Sequence, residues 1–237
     1  MSLKAILFDF NGVIINDESI HLQLIDEILI QENLQPQKLI ERQSLLGRSD
    51  RLYFQELFTS RGRVLPEEYL TQLLMRKAAN YAQEMAKLEK LPLYSGLEDL
   101  IFQARSLNLH LGIVSGAVAK EIDTVLARTD FQEHFAVIVT GEDTTTSKPE
   151  PEGYLLAVER LNHKYPDLNL LPTECLAIED TPAGIQAANQ AGMQVVGVAN
   201  TYPFHFMQRL ANWAVDYLMD LELERVQEVF AGVTVES

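Results

Sequence analysis

Apolar residues recur along this chain in two rhythms. Short unbroken runs, Ala5–Phe8, Leu109–Val114, Phe135–Val139, Cys175–Ile178 and Gln194–Val198, carry apolar or β-branched side chains at consecutive positions. A strand with one wet face alternates polar and apolar; an unbroken run suits a strand covered on both faces, as in a parallel sheet clothed by helices. Helical patterns lie between the runs, at Gly96–Ser106, Val118–Thr129, Pro151–Asn162 and Pro182–Ala191. The last has proline at a first helical position and Gly192 as a stop. Strands alternating with helices predict an α/β doubly wound parallel-sheet (Rossmann-like) core.

The stretch from Asn16 to Leu91 keeps only the helical rhythm. Asp17–Gln31, Gln37–Ser44, Ser49–Thr59 and Pro66–Lys87 read as consecutive helices with no strand-like run. A block of that size between the first two strands exceeds a simple crossover. The division expected is therefore a core of residues 1–15 and 92–237, and an inserted helical cap domain of residues 16–91.

Composition narrows the partners. The formal net charge of −15 over 237 residues opposes a nucleic-acid surface, which needs clustered cations. The single cysteine, Cys175, excludes an intrachain disulfide and suits a reducing, cytoplasmic setting. No run approaches the roughly 18 apolar residues of a membrane span. Nothing in the chain demands more than a monomer.

Ligands of parallel α/β sheets bind at the carboxyl ends of the strands, so the residues at the end of each run matter most. Asp9 succeeds the first, Ser115-Gly116 the second, Ser147-Lys148-Pro149 lies beyond the third, and Glu179-Asp180 ends the fourth. Singly, each is an ordinary cap or turn. Together they place three carboxylates, a hydroxyl and a lysine at one sheet edge. Asp9 suits nucleophilic attack on phosphorus. Asp180 with Glu179 suits a hard divalent cation, and Ser115, the backbone of Gly116 and Lys148 suit phosphate oxygens.

The order of these segments resembles the haloacid-dehalogenase (HAD) superfamily. Asp9-Phe10-Asn11-Gly12-Val13 is similar to its first motif, Ser115 to its second, Ser147-Lys148-Pro149 to its third, and Glu179-Asp180-Thr181-Pro182-Ala183-Gly184-Ile185 to its fourth. The helical cap and the fourth motif look most like the β-phosphoglucomutase-like branch. That resemblance implies a Mg²⁺-dependent phosphatase of a small phosphorylated metabolite such as a sugar phosphate, working through a phosphorylated Asp9. It implies Mg²⁺ held by Asp9, the carbonyl of Asn11, Asp180 and Glu179, and phosphate held by Ser115, Gly116 and Lys148. In the cap it points to His21 as a hinge histidine and to Arg48 and Lys77 as substrate contacts. The recognition loop of the mutases has arginine directly after its serine; here Asp50 stands there, between Arg48 and Arg51.

Asn11 departs from the motif. The family's acid–base aspartate belongs at that position, and an amide carries no exchangeable proton near neutral pH. General acid–base help is worth about 10²–10⁴-fold in rate. Three readings stay open at this point: an attenuated phosphatase in which His21, Asp17 or Glu18 moves the proton, a catalytically silent phosphometabolite-binding protein, or a substitution introduced to slow turnover. A phosphomutase is the neighbouring alternative to the phosphatase.

Overall fold

The computed structural model describes residues 2–232, with residues 43–45 described by their backbone alone. Six parallel strands form one sheet in the order β3-β2-β1-β4-β5-β6. They are β1 (Ala5–Phe8), β2 (His110–Val114), β3 (Phe135–Val139), β4 (Cys175–Glu179), β5 (Gln194–Val198) and β6 (Trp213–Val215). β1 sits at the centre, with Phe8 level with Ile113 of β2 on one side and Ile178 of β4 on the other.

The unbroken apolar runs are explained by what lies on each face. Ile6 and Phe8 point into one cluster, Ala5 and Leu7 into a second, as the two-residue period of a strand requires. The first cluster is closed by Leu97, Leu100 and Ile101 of α5 (Leu97–Ser106), Ile122 and Val125 of α6 (Ala119–Leu126) and Val226 and Phe230 of α10 (Leu223–Phe230). The second is closed by Tyr154, Ala157 and Leu161 of α7 (Glu152–Lys164), Ile185 and Ala188 of α8 (Pro182–Gln190) and Met207 of α9 (Phe204–Met207). The result is a three-layer α/β/α sandwich, the class expected. β6, α9 and α10 were not anticipated. β6 is a three-residue edge strand with two half-buried positions, so no apolar run marks it.

Between β1 and α5 run α1 (Glu18–Gln31), α2 (Leu39–Leu45), α3 (Asp50–Ser60) and α4 (Glu67–Lys87). Ile25, Ile28 and Leu29 of α1, Phe54 and Phe58 of α3, and Leu70 and Leu73 of α4 bury one another in a cluster of their own, which Val118 joins from the sandwich, while Leu24 of α1 and Tyr81 and Met85 of α4 pack into the first sandwich cluster. Each such side chain removed from water is worth about 1.5–3 kcal/mol. The chain enters and leaves this helical block side by side. Ile15 bridges Leu93 in antiparallel fashion, Asn16 N–H donates to Pro92 O at 2.8 Å, and Tyr94 N–H donates to Ile14 O at 3.2 Å.

Candidate active site

β1 and β4 are adjacent and in register, so their carboxyl ends deliver Asp9 and Glu179-Asp180 to the same point. One oxygen from each of the three buried carboxylates lies within 4.8 Å of the others. Lys148 offsets this charge. Its ammonium is 2.9 Å from Asp9 Oδ1 and 2.6 Å from Glu179 Oε1, and it donates to Val114 O at 3.1 Å. Phe10 N–H also donates to Asp9 Oδ1, at 2.8 Å.

Burial sets the proton affinities. It pushes Glu179 up to about 7, Asp9 adding to the rise and Lys148 opposing it. It also drives Asp180 well above the usual carboxylate range, with Asp9 and Glu179 adding repulsion. Lys148 is raised despite burial, because Asp9 and Glu179 favour its charged form. Among the described residues, Asp180 Oδ1 is a buried carboxylate oxygen with no hydrogen-bond partner. An orphaned buried oxygen among crowded acids costs free energy unless a cation meets it. The donor set, hard oxygens from Asp9 and Asp180, fits a divalent ion such as Mg²⁺. Glu179 fits less directly, since its Oε1 is engaged by Lys148 at 2.6 Å and by the Tyr154 hydroxyl at 2.5 Å.

Glycine permits the close approach. Gly12 has φ of +84°, and a Cβ on it would lie 1.9 Å from Asp180 Oδ2. That same oxygen accepts from Thr201 Oγ1, and Asn200 Nδ2 holds Gly12 O at 2.6 Å. Tyr154, Asn200 and Thr201 were not singled out from the sequence, because only folding brings them to the strand ends.

A cavity opens over Asp9, Asn11, Gly12, Gly116 and Asp180, and Glu18, His21, Arg48 and Asp50 line it from the helical side. Ser115, Lys148 and Gly116 line a smaller pocket alongside. Ser115 Oγ accepts from Ala117 N–H at 3.0 Å. The loop before α3 closes on the strand ends: Ser49 N–H donates to Ser147 Oγ at 2.6 Å, and Asp50 N–H donates to Gly116 O at 3.2 Å. Arg48 lines the cavity and pairs with Glu56 Oε1 at 2.8 Å.

The structure places Lys77 differently from the sequence expectation. It is fully buried, absent from the cavity wall, and bound to Asp50 at 2.8 Å and Glu121 at 3.0 Å. Its position on the inward face of α4 meets α6 of the sandwich, where Glu121 and Asp50 hold its ammonium. Burial lifts Glu121 to about 7, with Lys77 pulling the other way.

Asn11 and His21 meet at a second polar cluster. Asn11 Nδ2 donates to Asp17 Oδ1 at 3.0 Å and lies 3.0 Å from His21 Nε2, which in turn is 3.1 Å from Asp17 Oδ2. Tyr81 donates its hydroxyl to the same Asp17 oxygen and stacks on His21 with ring centroids 4.9 Å apart. Asp17 is wholly buried, which opposes its charge, yet His21 and the surrounding donors outweigh that and hold its pKa down. His21 is correspondingly raised: burial and Lys77 oppose its proton, and Asp17 prevails.

A family profile described as haloacid dehalogenase-like hydrolase matches residues 6–198, from the start of β1 to the end of β5. The chain belongs to the haloacid dehalogenase-like hydrolases. Named relatives agree. It is 30% identical over 222 residues to the Bacillus subtilis (strain 168) protein named as phosphatase YhcW, covering 93% of this chain and 94% of that one. It is 28% identical over 227 residues to beta-phosphoglucomutase of the same organism, covering 95% of each. The crystal structure of beta-phosphoglucomutase from Clostridium difficile superposes with a TM-score of 0.83 at 24% identity, covering 99% of this chain and 100% of that one, which is a likeness of fold. No helix among the described residues of this hydrolase is long and apolar enough to cross a membrane.

Proposed function

We propose that this hydrolase is a Mg²⁺-dependent phosphatase of a small phosphorylated metabolite such as a sugar phosphate, slowed by Asn11. The observation that carries the reading is the convergence of Asp9, Lys148 and Asp180 at one sheet edge, Asp9 and Asp180 lining the cavity and Asp180 Oδ1 unpartnered. Asp9, Asp180 and the Asn11 carbonyl would hold the ion, with Glu179 beside them. Bound there, the ion supplies positive charge that screens the attacking carboxylate from the phosphate.

The rest falls to side chains of this chain. Lys148 and Phe10 N–H hold Asp9 Oδ1, which leaves Oδ2 to form the bond to phosphorus while the ester oxygen departs. The Ser115 hydroxyl, the Gly116 N–H and Lys148 bind non-bridging oxygens, and Arg48 contacts the alcohol half. With an amide at position 11, the leaving oxygen takes its proton from His21, which lines the same cavity. Water then cleaves the acyl-phosphate. The helices of residues 16–91 act as a cap that shuts water out of the first step.

A phosphomutase is the second reading, favoured by 28% identity to beta-phosphoglucomutase. Phosphate release from a panel of phosphomonoesters, with and without Mg²⁺, tests the proposal. Release by the parent chain that vanishes in Asp9→Ala supports a phosphatase. Transfer between two positions of one sugar without release supports the mutase. Ligand stabilisation without any phosphoenzyme, even in Asn11→Asp, overturns both and leaves a binding protein.

A further inference from the structure

The cavity over Asp9 is chemically uneven. Its outer half, the side formed by the helical block, is walled by Glu18, His21, Leu22, Ile25, Arg48, Asp50 and Tyr53. Arg48 is the one lysine or arginine among the described residues that line the cavity, and Glu56 already holds its Nη1 at 2.8 Å. The nearby Lys77 lends nothing to a ligand, because it is fully buried with its ammonium divided between Asp50 and Glu121. Against Arg48, already paired, and His21, whose ring nitrogen is held by Asp17 at 3.1 Å, stand two carboxylates. Asp50 is fixed by the Lys77 ion pair and by its own N–H to Gly116 O, and its side chain keeps 15% of its surface exposed. Glu18 opens the same wall from the first turn of α1.

Resting on the phosphatase reading above, we infer that the outer half selects phosphomonoesters whose alcohol half ends in hydroxyls, and rejects those with a second phosphate or a carboxylate there. Asp50 is the residue that sets the rejection. A second anion entering this half must shed water and lie beside fixed carboxylates with no uncommitted ammonium to meet it. Hydroxyls face no such cost, since a carboxylate accepts their protons directly. Leu22, Ile25 and Tyr53 offer apolar surface to the carbon skeleton between. Selection of this kind works by exclusion rather than by added affinity for the favoured ligand.

Paired phosphomonoesters test it: fructose 6-phosphate against fructose 1,6-bisphosphate, and glucose 6-phosphate against 6-phosphogluconate. The expected result is a kcat/KM about tenfold or more higher for the hydroxyl-ended member of each pair. Asp50→Asn should narrow that gap severalfold, and Glu18→Gln, at a half-exposed position that leaves the Lys77 cluster intact, should narrow it too. Equal kcat/KM within each pair, or a gap untouched by both substitutions, overturns the inference. Titration of the same pairs into Asp9→Ala, which binds without turnover, separates the two failures. No phosphate release from any ester, with the binding difference intact, sinks the phosphatase reading and leaves the selectivity standing. Binding that fails to favour the hydroxyl-ended member sinks the selectivity.

Discussion

Asn11 presents its side-chain amide to both carboxylate oxygens of Asp17, at 3.0 and 3.1 Å. The amide therefore serves as a donor to a buried anion at the position where the family motif has an acid. An aspartate there would face Asp17 directly, and two carboxylates at that distance cannot both ionise cheaply, so one keeps its proton. Asn11→Asp is expected to create a second, better-placed proton donor beside the cavity and raise kcat, by less than the roughly 10²–10⁴-fold of a full general acid because His21 already gives part of that help. Phosphate release measured in both proteins checks this; equal rates would mean that His21 replaces the acid in full and that Asn11 does not slow the enzyme.

His21 offers the complementary measurement. In the parent chain, His21→Ala should lower kcat by about 10²–10⁴-fold, as loss of the proton donor demands. In Asn11→Asp the same change should cost far less, because the new acid takes over. A purely structural histidine, held by stacking on Tyr81, would cost the same in both backgrounds.

Gly12→Ala should damage the acidic cluster without touching an acid. Its left-handed φ of +84° costs a non-glycine residue about 1–2 kcal/mol. The added methyl would also sit 1.9 Å from Asp180 Oδ2 and push that carboxylate away. The expected outcome is a lower Tm and a smaller rise in Tm on adding Mg²⁺ than the parent chain is expected to give. A full Mg²⁺ response in Gly12→Ala would remove Asp180 from the ion's ligands.

Glu152 ties acidity to the phosphate loop. The Thr146 hydroxyl and the N–H groups of Thr145 and Thr146 hold its pKa down at about 2, below its ordinary 4.5. A group with a depressed folded pKa stabilises above its unfolded value and loses that contribution as pH falls toward the folded one. Glu152→Gln should therefore melt earlier than the parent chain at pH 7, the two curves converging between about pH 4.5 and pH 2. A difference in Tm that stays constant across that range would detach Glu152 from the loop that precedes Ser147-Lys148.

Strands buried on both faces announce themselves, which is why β1 to β5 were legible and β6 was not. The same holds for the site. Asp9, Ser115 and Asp180 come directly after apolar runs, so topology alone gathers them at one edge. Lys148 lies further along, but its loop returns to the same edge. Tyr154 and Thr201 hold Glu179 and Asp180 from other segments, and no local pattern marks a hydroxyl that folding will bring to a carboxylate. Lys77 shows the converse. Its spacing on α4 marks an inward face, but spacing does not tell whether a substrate or Glu121 waits there.

The antiparallel pairing of Ile15 with Leu93 means that the helical block departs from the sandwich and returns to it at one spot. Its two ends are already neighbours, so the block is topologically a pendant. An ancestor joining Asn16 to Pro92 through a short turn would lose no strand and no strand-end residue. Lineages are free to lengthen, trade or reshape such a pendant while the sheet below stays fixed. Recognition and the His21 proton route then travel together with the block, while Asp9, Lys148 and Asp180 stay with the sheet.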